Sequence, residues 1–451
     1  MSRPTVPPPS AVKRLDFVVA PGGRLTGQIR VPGDKSISHR ALMLAALAEG
    51  ETHISGFLES DDCHRTLTAL QALGVSIQHV VPGEVTVRGT GKGSLHAARQ
   101  PLDLGNSGTA MRLLAGLLCG QPFVSVLTGD ESLRRRPMAR IIEPLARMGA
   151  VIESTQACAP LTVHGRRPLK PVRYAMPLAS AQVKSALLLA GLYADGETWL
   201  HEPATSRDHT ERMLAAFGCE CLRADGWLGL RGGTVLHGAA MPVPGDLSSA
   251  GFFLAGAAMV PGTRLMLENV GVNPTRTGII SLLRDMGADI RLHNPRLAGK
   301  EPLADMEIAG NGLHGIDIDS GMVPLAIDEF PALLVAAACA EGVTTLRGAA
   351  ELRVKESDRL AAMATGLRTL GVEVDVWDDG MRVRGTESFA GGAVTSNGDH
   401  RIAMAFAMAG LRARSAIRIR DCRNVDTSFP GFAAIARAAG LSISVQEAAF
   451  P

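Results

Sequence analysis

Aromatic residues are scarce in this chain, which has two tyrosines, three tryptophans and twelve phenylalanines among 451 residues. Base-stacking platforms need more, and a net charge of +2 provides no broad basic face, so composition argues against a general nucleic-acid binder. The seven cysteines include no Cys-x-x-Cys pair, and no His/Cys/Asp cluster has the spacing of metal ligands. Cys219 and Cys221 lie in an apolar, strand-like stretch and read as free thiols of a protein in a reducing, cytoplasmic setting. Apolar runs such as residues 251–260 fall far short of the roughly 20 needed to span a bilayer, so no membrane partner is expected. The Pro-rich residues 1–14 hold no apolar core and are expected to form a disordered arm, not a leader peptide. Missing too are a G-x-S-x-G elbow, a P-loop, and the third glycine that Gly105-Asn106-Ser107-Gly108 would need for a dinucleotide fingerprint.

Glycine, by contrast, is abundant at 50 residues, and much of it punctuates an internal repeat. In six places a turn marked by glycine, serine or aspartate opens onto a helix-length run of small apolar residues. The turns are Gly33-Asp34-Lys35-Ser36, Gly105-Asn106-Ser107-Gly108-Thr109, Ser180-Ala181-Gln182, Gly245-Asp246-Leu247-Ser248-Ser249, Asp328-Glu329-Phe330-Pro331 and Gly398-Asp399-His400-Arg401. The runs behind them cover residues 41–48, 111–118, 183–192, 250–259, 332–340 and 402–411. A β-rich segment follows each, then a more polar helix ending on glycine, as in Leu73-Gly74-Val75 and Leu370-Gly371-Val372, then further strands.

A chain of this length is expected to form two domains, with three units in each. The first helix of every unit is apolar on nearly all faces and belongs inside, with sheets outside, which inverts the usual α/β layering. Linker chemistry at Met241-Pro242-Val243-Pro244-Gly245 separates units three and four. The first strand, residues 25–31, precedes unit one, and patterning leaves its domain open. Residues 227–232 and 381–385 read as short outer strands.

Polar residues recur at the helix starts: Lys35, Ser36 and Arg40; Asn106, Gly108, Thr109 and Arg112; Ser180 and Gln182; Asp328 and Glu329; Asp399, His400 and Arg401. Two more clusters lie ahead of second helices, one running from Gly129 to Arg136 and Pro137, the other Arg353-Val354-Lys355-Glu356-Ser357-Asp358-Arg359. Helix N-termini favour anions, arginine grips carboxylate and phosphate with two prongs, and lysine supplies a mobile charge or a proton. Many cations with few aromatics suit a small polyanion. Each cluster taken singly also reads as a solvated helix face laced with ion pairs, and His39 and His400 as hydrogen-bonded structural histidines.

Gly-Asp-Lys-Ser-Ile-Ser-His-Arg, Leu-Gly-Asn-Ser-Gly-Thr-Ala-Met-Arg, Arg-Arg-Pro-Met, Ser-Ala-Gln, Arg-Val-Lys-Glu-Ser-Asp-Arg-Leu and Asp-His-Arg-Ile-Ala-Met stand in this order. Together they resemble the 5-enolpyruvylshikimate-3-phosphate (EPSP) synthase family over nearly the whole chain after the Pro-rich arm. The resemblance implies an α/β (α+β) fold, a two-domain inside-out barrel of six β-α-β-α-β-β units. One domain would be residues 15–32 plus 245–451 and the other 33–244, with the active site in the cleft between them. It implies transfer of the enolpyruvyl group of phosphoenolpyruvate to the 5-hydroxyl of shikimate 3-phosphate, releasing phosphate, with no metal or organic cofactor. It implies a monomer that opens and closes on these small-molecule substrates, with glyphosate as an inhibitor.

By the same resemblance Lys35, Asp328 and Glu356 are catalytic. Lys35, Ser36, Arg40, Ser180, Ala181, Gln182, Arg207, Asp328 and Lys355 match contacts to shikimate 3-phosphate. Lys35, Gly108, Arg136, Gln182, Arg359 and Arg401 match contacts to phosphoenolpyruvate. Asp328 would take the proton of the reacting hydroxyl, and Lys35 and Glu356 would move protons at the methylene carbon.

The chain departs from the family in places. Thr427 replaces a common lysine that contacts phosphoenolpyruvate, Glu351 a common asparagine, Ala181 a common serine and Leu113 a common proline. Several of these choices resemble a branch that tolerates glyphosate, whereas Gly108, often alanine in tolerant members, leaves the inhibitor room. The related family that transfers enolpyruvate to UDP-N-acetylglucosamine carries a cysteine where this chain has the loop at Glu131. RNA 3′-phosphate cyclases need a histidine nearer the C-terminus than His400. A catalytically dead anion-binding scaffold would have lost Lys35, Asp328 or Glu356.

Overall fold

Six helices without a polar face set the architecture. In the computed structural model, which describes residues 14–448, they are Lys35–Leu47, Gly108–Cys119, Ala181–Gly191, Leu247–Ala258, Phe330–Ala337 and His400–Ala409. Every residue of Leu247–Ala258 is buried. Full burial of one leucine is worth roughly 2 kcal/mol, so such a helix holds its place only when surrounded by other elements. Small residues permit close approach: a Cβ on Gly116 would lie 2.2 Å from the carbonyl oxygen of Ala186, so Gly108–Cys119 and Ala181–Gly191 are packed backbone to backbone.

Each helix is started by its turn. Asp34, Ser107, Ser180, Asp246 and Asp399 are N-caps whose side chains accept from backbone N–H groups of the first turn, for example Asp34 Oδ1 from Ile37 N at 2.9 Å. Glu329 precedes the fifth helix without a capping bond; Pro331, in that helix's first turn, has no N–H to satisfy. The second helices end before glycines such as Gly74 and Gly371, whose φ values of 92° and 87° a side chain would oppose.

The strands form six separate sheets, five of four strands and one of three, and none closes into a barrel among the described residues. One pairing scheme recurs. Ala240–Pro242 runs parallel to Glu49–Ser55, which is antiparallel to Glu84–Thr90, itself antiparallel to Ser76–Val81. The two N-terminal strands serve distant units. Arg14–Gly23 pairs with Ile417–Arg420 and Leu441–Ala448, and Thr26–Ile29 lies parallel to Arg264–Gly271. Trp227–Arg231 and Gly380–Arg384, expected at the outside, are inner strands flanked on both sides. Leu228, Gly229 and Leu230 are buried in the first, and Met381 and Val383 in the second.

The buried apolar residues fall into two clusters that share no member. One runs from Ile37 to Val243, the other joins residues 17–31 to residues 247–443. We refer to the segments around them as the first and second halves. The chain passes between them twice, side by side: Gly33 and Gly245 form an antiparallel bridge, Asp34 N donates to Pro244 O, and Asp246 N to Pro32 O. The expected arm lies in residues 1–14, of which 1–13 are outside the described residues. All seven cysteines are unpaired. No single described helix is long and apolar enough to cross a membrane; the bent pair Ser320–Ala326 and Phe330–Ala337 passes by composition, but the second is wholly buried core.

Candidate active site

A cleft at the seam of the halves collects nine cationic side chains against five carboxylates. That excess, in a confined space, favours a ligand with several negative charges. From the first half come Lys35, Ser36 and Arg40 at the start of Lys35–Leu47, Gly108 at the start of Gly108–Cys119, Arg136, Ala181, Gln182 and Arg207. From the second come Asp328, Lys355, Glu356 and Arg401. The cleft does not take in Ser180 or Arg359. Ser180 stands one residue behind, capping Ala181–Gly191 through Val183 N. Arg359 is buried beneath the floor.

The floor is a lattice of ion pairs around Asp328. Its Oδ2 accepts from Arg207 Nη2 at 2.6 Å and its Oδ1 from Arg359 Nη1 at 3.3 Å, while Arg401 Nη1 donates to its carbonyl oxygen at 3.1 Å. Burial opposes ionisation of Asp328, but Arg207, Arg401, Lys355 and Arg359 together hold its carboxyl well below the usual carboxylate range. Arg359 also donates to Glu356 Oε2 at 2.5 Å and to Asp399 Oδ2 at 2.9 Å. Glu356 meets Arg136 Nη1 across the seam at 3.4 Å. Against the pull of burial, Arg359, Arg136, His400 and Lys35 keep Glu356 ionised too. An ionised Glu356 can accept a proton but has none to give. Burial lowers the ammonium pKa of Lys355, and Asp328 and Glu351 partly offset that.

On the first half, Arg40 is fixed by Thr210 Oγ1 and Ser185 Oγ, each at 2.8 Å, and by the carbonyl of Ser36. Burial brings its pKa down to about 10, which leaves it charged at neutral pH. Gln182 spans two neighbours, accepting from Arg112 Nη1 at 2.8 Å and donating to Thr109 Oγ1 at 3.1 Å. Lys35 Nζ lies 3.0 Å from Asp62 Oδ2, and burial raises the pKa of Asp62 despite that cation. The buried Nε atoms of Arg112 and Arg136 have no partner, so the wall carries spare donors.

Sequence reasoning passed over Asp62, Arg140 and Arg276, all of which line the cleft, and read Asp246 and Arg112 as helix-start residues without assigning either a ligand. Asp61-Asp62 looks like ordinary acid at a helix N-terminus, and Arg140 like one more charge on an amphipathic helix. Thr427 lies away from the cleft, bonded to the carbonyl of Asn424 at 2.7 Å. Arg112 and Arg140 instead add positive charge to the cleft. Glu329 faces the seam, where Ser248 donates to it beside Arg276.

A mixed α/β chain of repeated units that gathers nine cations and ionised carboxylates in one cleft suits an enzyme for small phosphorylated or carboxylated metabolites. Residues 19–435 match the family model for EPSP synthase (3-phosphoshikimate 1-carboxyvinyltransferase). A 3-phosphoshikimate 1-carboxyvinyltransferase of Alkalilimnicola ehrlichii is 59% identical, aligned over 95% of this chain and 97% of that protein. One from Methylococcus capsulatus is 57% identical over 96% and 99%. The solved EPSP synthase of Acinetobacter baumannii superposes with a TM-score of 0.86 at 51% identity, covering 96% of this chain and all of that one. The chain belongs to the EPSP synthase family.

Proposed function

We propose that the chain is a 3-phosphoshikimate 1-carboxyvinyltransferase, moving the enolpyruvyl group of phosphoenolpyruvate to the 5-hydroxyl of shikimate 3-phosphate. The observation that carries this reading is the placement of ionised Asp328 and Glu356 on one wall with Lys35 opposite, ringed by arginines. Addition–elimination needs an acid, a base and fixed positive charge, and these side chains can supply each.

In this reading Arg40 takes the ring carboxylate of shikimate 3-phosphate, and Ser36, Ala181, Gln182 and Lys355 hold the ring. Arg207 holds the 3-phosphate, beside the start of Ala181–Gly191 that Ser180 caps. Lys35, Gly108, Arg136, Gln182 and Arg401 surround phosphoenolpyruvate. Arg359 acts from below, fixing Asp328 and Glu356. Lys35 delivers a proton to C3 as the hydroxyl oxygen bonds to C2, and Asp328 accepts the hydroxyl proton. The methyl group of the adduct then returns a proton to Glu356 or Lys35 as the C2–O bond to phosphate breaks. Glu356 acts as a base only.

The two non-overlapping apolar clusters support a division into residues 15–32 plus 245–451 and residues 33–244, each with helices inside and sheets outside as an inside-out barrel. The double crossing at Gly33 and Gly245 would serve as the hinge for closure on shikimate 3-phosphate. A cytoplasmic monomer, inhibited by glyphosate at the phosphoenolpyruvate position, completes the reading.

Phosphate release tests it, with phosphoenolpyruvate and either shikimate 3-phosphate or UDP-N-acetylglucosamine, with and without EDTA. Release with shikimate 3-phosphate alone, indifferent to EDTA, is the expected result. Release with the nucleotide sugar, or with neither acceptor, would overturn the assignment.

A further inference from the structure

Arg207-Asp208-His209-Thr210 is a run of four residues with four separate anchors, and the first three lie in the opposite half. Arg207 donates to Asp328. Asp208 Oδ1 accepts from Asn273 Nδ2 at 2.7 Å. His209 Nδ1 meets Glu301 Oε1 at 2.7 Å, and the second oxygen of Glu301 accepts from the same Asn273 amide at 3.0 Å. Thr210 turns back to its own half and accepts from Arg40. His209, Asn273 and Glu301 are 4% exposed or less.

None of Asp208, His209, Asn273 and Glu301 lines the cleft. Their bonds therefore cannot be contacts to a small molecule lying there. A seam built only for stability would be cheaper in apolar side chains, because buried carboxylates and imidazoles lose hydration that their partners only partly restore. What a polar seam provides is geometry. Arg207 sits on a long flexible side chain, and the residues next to it tie its backbone to the half that carries Asp328.

We propose that Asp208 and His209 are positioning residues that dock the Arg207 loop on Asn273 and Glu301, so that Arg207 and Asp328 meet the phosphorylated ring substrate at a fixed separation. The proposal deepens the functional reading above and rests on it, since it takes the 3-phosphate as the ligand of Arg207. The consequence is selective: recognition of shikimate 3-phosphate depends on the seam, and recognition of phosphoenolpyruvate does not.

Steady-state kinetics with both substrates, alongside a melting temperature for every variant, test this. Asn273→Ala, which removes the bonds to both Asp208 and Glu301, is expected to raise KM for shikimate 3-phosphate about tenfold, the scale of hydrogen bonding to charged groups. KM for phosphoenolpyruvate and kcat should stay within about threefold of wild type, below half a decade. Asp208→Ala, which also frees Arg212, should raise the same KM at least as much as Asn273→Ala, whereas Asp208→Asn, which keeps an acceptor facing both Asn273 and Arg212, should recover wild-type KM. The Asp208 pair keeps the test alive if Asn273→Ala does not fold. Unchanged KM values, or losses in both KM values and kcat that follow the melting temperature, would reduce the seam to fold stabilisation and overturn the proposal. Wild-type protein that releases no phosphate from the two substrates would instead overturn the functional reading, and the proposal with it.

Discussion

Arg140 and Glu351 come from opposite halves and meet across the cleft, Nη1 to Oε1 at 3.0 Å. Their side chains are 30% and 39% exposed, so the pair is more open to solvent than the ion pairs of the floor, whose side chains are 21% exposed or less. Glu351 also lies 3.6 Å from Lys355 Nζ. An acid where asparagine is common in the family, in a cleft otherwise rich in cations, is accounted for by this partner.

Reversing one charge of that pair should obstruct the cleft, and reversing both should restore it. Arg140→Glu sets two carboxylates face to face and is expected to raise KM for shikimate 3-phosphate about fivefold, the scale of a half-exposed ion pair. The double variant Arg140→Glu/Glu351→Arg should return to within about twofold of wild type. A full double-mutant cycle measures the coupling. A double variant as impaired as the single one would mean that the two side chains do not act on each other.

Asp328 is argued above to take the proton of the attacking hydroxyl, and its ionisation is held by Arg207 and Arg401 as well as by Lys355 and Arg359. Asp328→Asn keeps an acceptor for Arg207 but cannot accept that proton. The expected loss is about a hundredfold to ten-thousandfold in kcat, the range for a positioned general base. KM for both substrates should change far less. A kcat within a few-fold of wild type in single-turnover measurements would remove the base role from Asp328.

The parts of the molecule that could be read in the sequence are those encoded locally. An N-cap before a run such as residues 41–48 announces both a buried helix and the place where Lys35, Ser36 and Arg40 are displayed, and the structure puts those three in the cleft. The parts that could not be read join residues far apart in the chain. Arg207 and Asp328 are 121 residues apart, Arg140 and Glu351 211, and Arg276 and Asp34 242, and no periodicity relates them. Arg276 is the extreme case. Buried between the N-cap carboxylates of two helices, Asp34 and Asp246, it ties both crossings together, yet in sequence it is one arginine in a loop after a strand. Arg359 is marked by its motif as a ligand contact, and its guanidinium pairs in the fold with Asp399, Asp328 and Glu356, which the motif alone does not reveal.

His39 makes stability depend on pH in a direction that can be worked out. It is buried between Thr66 Oγ1 at 2.8 Å and Ser107 Oγ at 3.1 Å, linking three helices of the first half. Burial, then Lys35 and Arg40, lower its pKa to about 3 against the opposing pull of Asp34. Between pH 6.5 and 3 the unfolded chain therefore binds a proton that the folded chain refuses, and stability falls as pH falls, by about 1.4 kcal/mol per pH unit. Asp62 and Asp246, whose pKa values burial raises, work in the opposite sense, so the wild-type curve is a sum. His39→Gln can keep both bonds and cannot titrate. Urea unfolding at pH 7.5 and 5 should show wild type losing stability relative to His39→Gln on acidification. A gap that does not change with pH would mean that His39 accepts its proton in the folded state.

A side chain at Gly108 would crowd two arginines of the cleft. A Cβ at this position would lie 2.8 Å from Arg112 Nη1 and 3.1 Å from Arg136 Nη1. Both atoms end flexible side chains, so Gly108→Ala should fold with little change in melting temperature, and what it displaces is the charge around phosphoenolpyruvate. The expected result is a rise in KM for phosphoenolpyruvate of about tenfold, given how steeply such contacts depend on position, with KM for shikimate 3-phosphate nearly unchanged. Glyphosate, which extends further than phosphoenolpyruvate along its chain, should lose more, so its inhibition constant should rise by a larger factor than KM. Leu113, fully buried in the same helix, fixes the starting point: a helix without the common proline presents Gly108 in its own way, and wild-type inhibition should be partial. Inhibition constants measured against phosphoenolpyruvate for wild type and Gly108→Ala separate the two effects. Equal factors for inhibitor and substrate would mean that the methyl group acts only through Arg112 and Arg136, and that the space beside Gly108 plays no part in telling the two anions apart.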